Sequence, residues 1–292
     1  MLKRLEVFLI ITVFIVITAI ILIVYSMQRE QEYKAHSIIT QETIVNGAAY
    51  AINMKLLDKH RHVQLFVNEY SRYLVQLYNN SDNEKMVDDI KTRLQQRFPD
   101  FFTFTITDKK GMPKLQNIES LIGHVCQADL TNYAKHLDNN SELKKNKIVI
   151  HPQPLNYHYD VMAPLYTTGK KPNIFFVSFY LKEIADILST HSLPGQKLML
   201  VRQSDPSLIE VSAQGARDII KRDINLSNDE LKQIRVFMNI PNTDWRLINL
   251  PDIQHEKQYI KGLWKEAIII IVIVSFALIL MFTLLMKTTK RR

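Results

Sequence analysis

Two uncharged apolar runs, residues 7–24 and 267–286, stand at opposite ends of a chain whose polar residues lie between them. Each has the roughly 18–20 apolar residues that a helix needs to cross a bilayer core of about 30 Å. After the first run there is no proline and a single glycine, Gly47, as far as Tyr78. Apolar residues recur there at helical intervals, as in Ile38, Val45, Ala49, Ile52, Leu56, Val63, Phe66, Val67, Tyr70, Leu74 and Leu77. The spacing predicts a long helix rising directly from the first apolar run, broken at most once. Asn79-Asn80-Ser81-Asp82 stops it, and Asp82 is the expected cap of a second helix to about Arg97.

From Phe101 the period changes to two. Phe101-Phe102-Thr103-Phe104-Thr105-Ile106-Thr107 alternates and then meets Asp108-Lys109-Lys110-Gly111, which predicts a strand opening a hairpin. Residues 116–137 read as irregular or helical. Further strands are expected at 147–151, 157–166 and 174–181, with the last two joined by the turn-rich segment 167–172 and a short helix following at 182–188. The pattern then begins again: strands at 197–202 and 208–211, a capping box Ser227-Asn228-Asp229-Glu230 opening a helix to about Met238, and a last strand at 243–250. The expected organisation is a tail (1–6), a first membrane helix (7–25), a larger domain carrying the long helix (26–192), a smaller α/β unit nearest the membrane (193–263), a second membrane helix (264–286) and a basic tail (287–292).

Charge changes the picture by fixing orientation. Lys3 and Arg4 precede the first run, while Lys287, Lys290, Arg291 and Arg292 follow the second, so both termini are expected on the cytoplasmic side. These six, less Glu6, carry +5 of the formal +8 and leave +3 on the exterior segment. That is too little, and too dispersed, for a nucleic-acid face; Lys144-Lys145-Asn146-Lys147 reads as a solvated loop. The first run exceeds the apolar core of a signal peptide and no small-residue cleavage site follows it. Neither run carries an ionisable group or a strong small-residue stripe. Trp264 fits an interfacial anchor. The triplets beginning at Asn79, Asn139 and Asn225 match glycosylation acceptors but serve equally as loop residues.

With one cysteine, Cys126, no intrachain disulfide forms, and about 240 exterior residues are enough to fold around a core alone. No Gly-x-Ser-x-Gly, His-Glu-x-x-His or phosphate-binding glycine loop occurs, so no enzyme is expected. His60-Arg61-His62 places its histidines on different helical faces, and His124-x-Cys126 has no second pair close in sequence; neither a metal nor a cofactor is expected.

Several segments resemble the extracytoplasmic Cache sensor domains of bacterial membrane receptors. They are Phe98-Pro99-Asp100-Phe101 running into Ile106-Thr107-Asp108-Lys109-Lys110-Gly111, then Tyr157-His158-Tyr159-Asp160-Val161-Met162-Ala163-Pro164-Leu165, then Phe175-Phe176-Val177-Ser178-Phe179. Leu208-Ile209-Glu210-Val211 and Thr243-Asp244-Trp245-Arg246-Leu247 are similar to later strands of such sensors, so the likeness covers about residues 30–255. It implies an α+β fold: a long N-terminal helix packed on a PAS-like antiparallel sheet, a smaller membrane-proximal α/β unit, and two flanking transmembrane helices. It also implies small-ligand sensing outside the cell and signalling through the second membrane helix. The Arg followed by Trp-Tyr that marks amino-acid binding in many double Cache domains is missing. No output module follows residue 286, so the expected recipient is a cytoplasmic or membrane signalling partner, or a further part of a longer receptor.

A PAS-like order sets the strand at 101–107 beside that at 174–181, and that beside 157–166. Alternation then puts Phe102, Phe104 and Ile106 on one face and Thr103, Thr105 and Thr107 on the other. His158 and Asp160 point away from Tyr159 and Val161, while Ser178 and Tyr180 share a face with Ile174 and Phe176. The expectation is that His158 and Asp160 fix a small ligand, with Thr105, Ser178 and Tyr180 nearby, unless that face is simply solvated. A homodimer through the apolar stripe of the long helix is expected. The rival functions are an envelope assembly protein that docks another protein, and a membrane-tethered enzyme.

Overall fold

A computed structural model describes residues 4–115, 124–138, 148–151, 156–167 and 171–290. The chain divides into two compact units, Met1–Thr40 with Asp252–Arg292, and Gln41–Pro251.

The first unit consists of the opening part of helix α1 (Arg4–Glu69) and helix α7 (Ile253–Lys290). Both are long and apolar enough to cross a membrane. They run side by side in opposite directions: Phe8 meets the edge of Phe282 at 6.5 Å, and Tyr33 stacks on Tyr259 at 4.2 Å. Trp264 donates its indole N–H to Glu30 Oε2 at 3.1 Å. Inside the first apolar stretch Thr12 and Thr18 return their hydroxyls to the carbonyls one turn back.

The second unit holds the rest of α1, which buries Val45, Ala48, Ala49, Ile52, Leu56, Val63, Phe66 and Val67 along one stripe. The single expected break falls at Tyr70, whose backbone leaves the helical region before α2 (Ser71–Asn79). Helix α3 (Glu84–Arg97) is capped by Asn83, one residue beyond the expected Asp82; its side chain accepts from Met86 N at 3.2 Å.

Four antiparallel strands form the first sheet: β1 (Phe101–Thr107), β2 (Ile150–His151), β3 (His158–Leu165) and β4 (Asn173–Tyr180), ordered β1-β4-β3-β2. The expected placement of β1 beside β4 beside β3 is therefore met. The hairpin expected after β1 is not. The Asp108 turn returns the chain for one bridge, Thr107 to Pro113, and the main partner of β1 is β4. Pro113 has no N–H with which to extend the pairing. Helix α4 (His124–Asp138) lies between β1 and β2, and α5 (Lys182–His191) follows β4. Residues 116–123 and Lys147, part of the expected irregular and strand segments, fall outside the described residues.

The second sheet contains β5 (Gln196–Arg202), β6 (Ile209–Ser212), β7 (Gly215–Ala216), β8 (Phe237–Asn239) and β9 (Trp245–Pro251), in the order β7-β6-β5-β9-β8. Trp245 of β9 meets Tyr159 of β3 edge-on at 6.0 Å, so one core runs through both sheets. Helix α6 (Asn228–Gln233) stops five residues before the expected Met238, because Phe237–Asn239 leave it to pair with β9 as β8.

The capping box of α6 forms as read, with Ser227 and Glu230 bonding each other's backbone N–H groups. A hydrogen bond from Arg222, helped by Ser227, draws the Glu230 carboxyl from 4.5 down to about 2. A folded-state pKa below the unfolded one adds stability that is complete above 4.5 and is lost as pH falls toward 2. Glu230→Gln is expected to cost about 1 kcal/mol at neutral pH and to flatten that acid limb, as urea melts across the window will show.

Candidate functional site

The two faces of the first sheet are buried by different helices. On one, Phe175 stacks on Phe66 of α1 at 5.8 Å, Phe104 and Phe179 join it, and Tyr159 is fully buried. This is the expected docking face of the long helix. The opposite face is not solvated. Helix α4 covers it, with Cys126 Sγ 3.5 Å from His158 Nε2 and Leu130 buried alongside.

Cross-strand register decides which side chains meet on the α4 face. Asp160 lies opposite Ser178, and Ser178 opposite Thr103, so these three form one row. Ser178 donates to Asp160 Oδ1 at 2.7 Å. His158 lies opposite Tyr180 on one side and His151 on the other. Thr105 pairs with Phe176, whose neighbour is Met162, and so sits one row away from Asp160. The start of β1 is irregular. A bulge between Phe101 and Thr103 turns Phe102 onto the α4 face, against His158 at 5.1 Å and Tyr180 at 5.0 Å. The expected grouping of Phe102 with Phe104 and Ile106 is thus corrected. Of the five sequence candidates, the fold brings His158, Asp160 and Ser178 together; Tyr180 lies opposite His158, with its ring against Phe102.

Three more groups converge here that the sequence reading left out. His151 Nε2 lies 3.2 Å from Asp160 Oδ2 and 3.4 Å from Asp129 Oδ2 of α4. Cys126 also bonds Asp160, helping to offset its burial. His158 Nδ1 is 2.8 Å from the Asn156 carbonyl, so Nδ1 carries the proton and Nε2 presents a lone pair to the Cys126 thiol, with Asp160 Oδ1 3.7 Å away. The signal that would have found His151 is its place on the strand expected beside 157–166. Cys126 had none, since its partners lie 32 and more residues away.

Burial dominates the electrostatics. It pushes the Asp160 carboxyl above its ordinary range, against the opposing pull of His151, His158, Ser178 and Cys126. It also pushes His158 below the usual imidazole range, outweighing Asp160. At His151 burial acts in the same sense, but Asp129 and Asp160 outweigh it and hold the imidazole above its usual value. The thiol–imidazole separation of Cys126 and His158 suits nucleophilic chemistry, yet both residues are only 1% exposed, so a substrate carbonyl has no approach.

Beside this group lies a cavity of about 130 Å³. Asn53, Leu56, Leu57 and His60 of α1 form one wall and Asp129 and Tyr133 of α4 another. His151 and Asp160–Met162 form the sheet edge, and Pro241-Asn242 of the β8–β9 turn closes it. Asn242 holds a left-handed backbone (φ 58°), tolerable for asparagine, and its carbonyl accepts from Ile148 N at 2.8 Å. A second cavity of about 580 Å³ lies near Tyr157, Tyr180 and Lys182. Among its charges, Lys182 already pairs with Asp186 at 2.7 Å, and the buried Asp100 with Lys59.

Gly111 controls how closely α4 covers the site. Its φ is +87°, and a Cβ there would stand 2.7 Å from Leu130 O and 2.9 Å from Thr131 N, both backbone atoms of α4. Gly111→Ala must therefore displace α4. A loss of about 2–3 kcal/mol is expected, with faster hydrogen exchange along α4; unchanged exchange there would contradict the placement.

No protein-family model matches the sequence, and no curated protein matches it. Among solved structures the fold is similar to the sensor domain of the V. cholerae histidine kinase DctB, at 13% identity and a TM-score of 0.48, covering 75% of this chain and 98% of that one. It is similar also to the periplasmic domain of Vibrio cholerae LuxQ (13% identity, 75% and 99% covered, TM-score 0.45). A third is the ligand-binding domain of the Pseudomonas aeruginosa amino acid chemoreceptor PctC in complex with GABA (14% identity, 72% and 97% covered, TM-score 0.44). At 13–14% identity the likeness to these three structures is one of fold alone.

Proposed function

We propose that the protein is a two-pass inner-membrane sensor whose periplasmic domain binds a small ligand and passes the bound state to its second membrane helix. From there the signal goes to a partner protein or a C-terminal output module, with both termini cytoplasmic. The observation that carries this reading is the cavity beside Asp160 and His151. Its walls belong to the long helix, α4, the edge of the first sheet and the turn before β9, so one occupant touches the long helix and both sheets' surroundings at once. A mostly apolar cleft with a few convergent polar groups is the usual form of a small-molecule site. Binding shifts the resting equilibrium only if the occupant prefers one arrangement of those walls. Tyr50, Met54 and Leu65 expose apolar surface on α1, which supports pairing with a second copy through the long helix.

The test is thermal melting of the full chain in detergent against a panel of small polar compounds. A ligand at a hundred times its Kd adds about 2.7 kcal/mol, a saturable rise in melting temperature. A panel that leaves melting unchanged, for a protein that co-purifies with another envelope component, would favour the assembly role.

A further inference from the structure

We infer that Cys126, His158 and Asp160 form a binding site for a thiophilic divalent metal ion of the zinc class, in the buried group that borders the cavity through Asp160. The inference rests on reading this face as the ligand face and names a chemistry for it. The three residues come from two elements, α4 and β3, and offer a sulfur, an imidazole nitrogen and a carboxylate oxygen that all lie within 4.8 Å of one another. Tetrahedral zinc with its usual bond lengths sets sulfur and nitrogen about 3.6 Å apart, and nitrogen and oxygen about 3.4 Å apart. Here Cys126 Sγ to His158 Nε2 is 3.5 Å, and His158 Nε2 to Asp160 Oδ1 is 3.7 Å.

Three further features point to a ligand. His158 has its other ring nitrogen on the Asn156 carbonyl, the arrangement that turns a metal-binding imidazole's lone pair toward the ion. Ser178 fixes Asp160 by donating to Oδ1, as outer partners of carboxylate ligands do. Asp160 Oδ2 is buried and receives no hydrogen bond, and the basic groups that face the carboxylate are the imidazoles of His151 and His158, without a lysine or arginine among the described residues. A dication bound by one thiolate, one carboxylate and one neutral imidazole would balance the buried charge, and the donor set of sulfur, nitrogen and oxygen favours zinc over magnesium or calcium. Asp129, about one third exposed and 3.4 Å from His151, offers an entry path from the surface.

The single cysteine makes the test direct, because any thiolate–metal signal must come from Cys126. The full chain in detergent, stripped of metal, is titrated with Co²⁺ and followed by absorption, then with Zn²⁺ in competition. The expected result is a sulfur-to-cobalt charge-transfer band in the wild type, reversed by Zn²⁺ and absent in Cys126→Ser. Zn²⁺ affinity should fall by at least about tenfold in Cys126→Ser and in Asp160→Asn. The wild-type spectrum alone decides the matter should either variant fold poorly. No charge-transfer band at saturating Co²⁺ overturns the metal site. If an organic ligand still raises the melting temperature in that case, the sensor reading stands without the metal; if none does, both fall.

Discussion

Lys59→Ala is expected to destabilise the folded chain by about 3–5 kcal/mol, the cost of breaking a buried ion pair by removing one partner. Lys59 projects from α1 into the core with only 5% of its side chain exposed. Its ammonium lies 2.5 Å from Asp100 Oδ1 and 2.9 Å from Glu183 Oε2, so it ties the long helix to the start of β1 and to α5. The rings of Phe179 and Phe98 lie 4.7 and 5.5 Å from the same nitrogen. Burial already pushes the Asp100 carboxyl above its usual range, although Lys59 pulls it down. Without the lysine that carboxylate is left dry and unpaired. Glu183 suffers less, because Lys55 holds it at 3.2 Å. For a domain of this size the melting temperature should fall by about 10 °C, measured on the full chain in detergent. Lys59→Met combined with Asp100→Asn should recover most of the loss, which separates ionic from packing effects. A single-variant loss below about 1 kcal/mol would contradict the assignment.

The second large effect falls on binding. In Asp160→Asn the amide oxygen still accepts from Ser178, so the fold should stay within about 1 kcal/mol of wild type. The negative charge facing His151 and His158 disappears, and with it a charge-assisted contact worth about 1.5–3 kcal/mol to an occupant of the cavity. Affinity for whichever compound raises the melting temperature should therefore drop about ten- to hundredfold. Calorimetric titration of both proteins with that compound checks it. Unchanged affinity in the variant removes Asp160 from the site.

Most of the architecture was legible because single-element patterns are local. The alternation at 101–107 predicted β1 to the residue, and the proline-free apolar stripe up to Tyr78 predicted a helix that does break once, at Tyr70. Misses occurred where a nonlocal or very small event decides. The bulge at Phe102 shifts the register of β1 by one residue and sets Thr103, rather than Phe102, opposite Ser178, with Thr105 a row further on. Strands β7 and β8, of two and three residues, are too short to show a period and form through pairing with β6 and β9. The pairing of α6 with a strand so soon after it was hidden for the same reason. At the site, His158, Asp160 and Ser178 shared a face by alternation alone, since β3 and β4 pair in simple antiparallel register. Cys126, Asp129 and Tyr133 arrive on α4, which packs over the sheet from a distant part of the chain; a search for metal pairs close in sequence could not reach them.

The central claim is that ligand enters between the long helix, α4 and the edge of β3. Hydrogen exchange of the full chain, with and without a compound that raises its melting temperature, tests it most directly. Slowed exchange is expected around residues 53–60 of α1, in α4, at 148–151 and at 160–162, with the second cavity near α5 unchanged. Protection confined to α5 and the β6–β7 hairpin, or no protection in the domain, would contradict it.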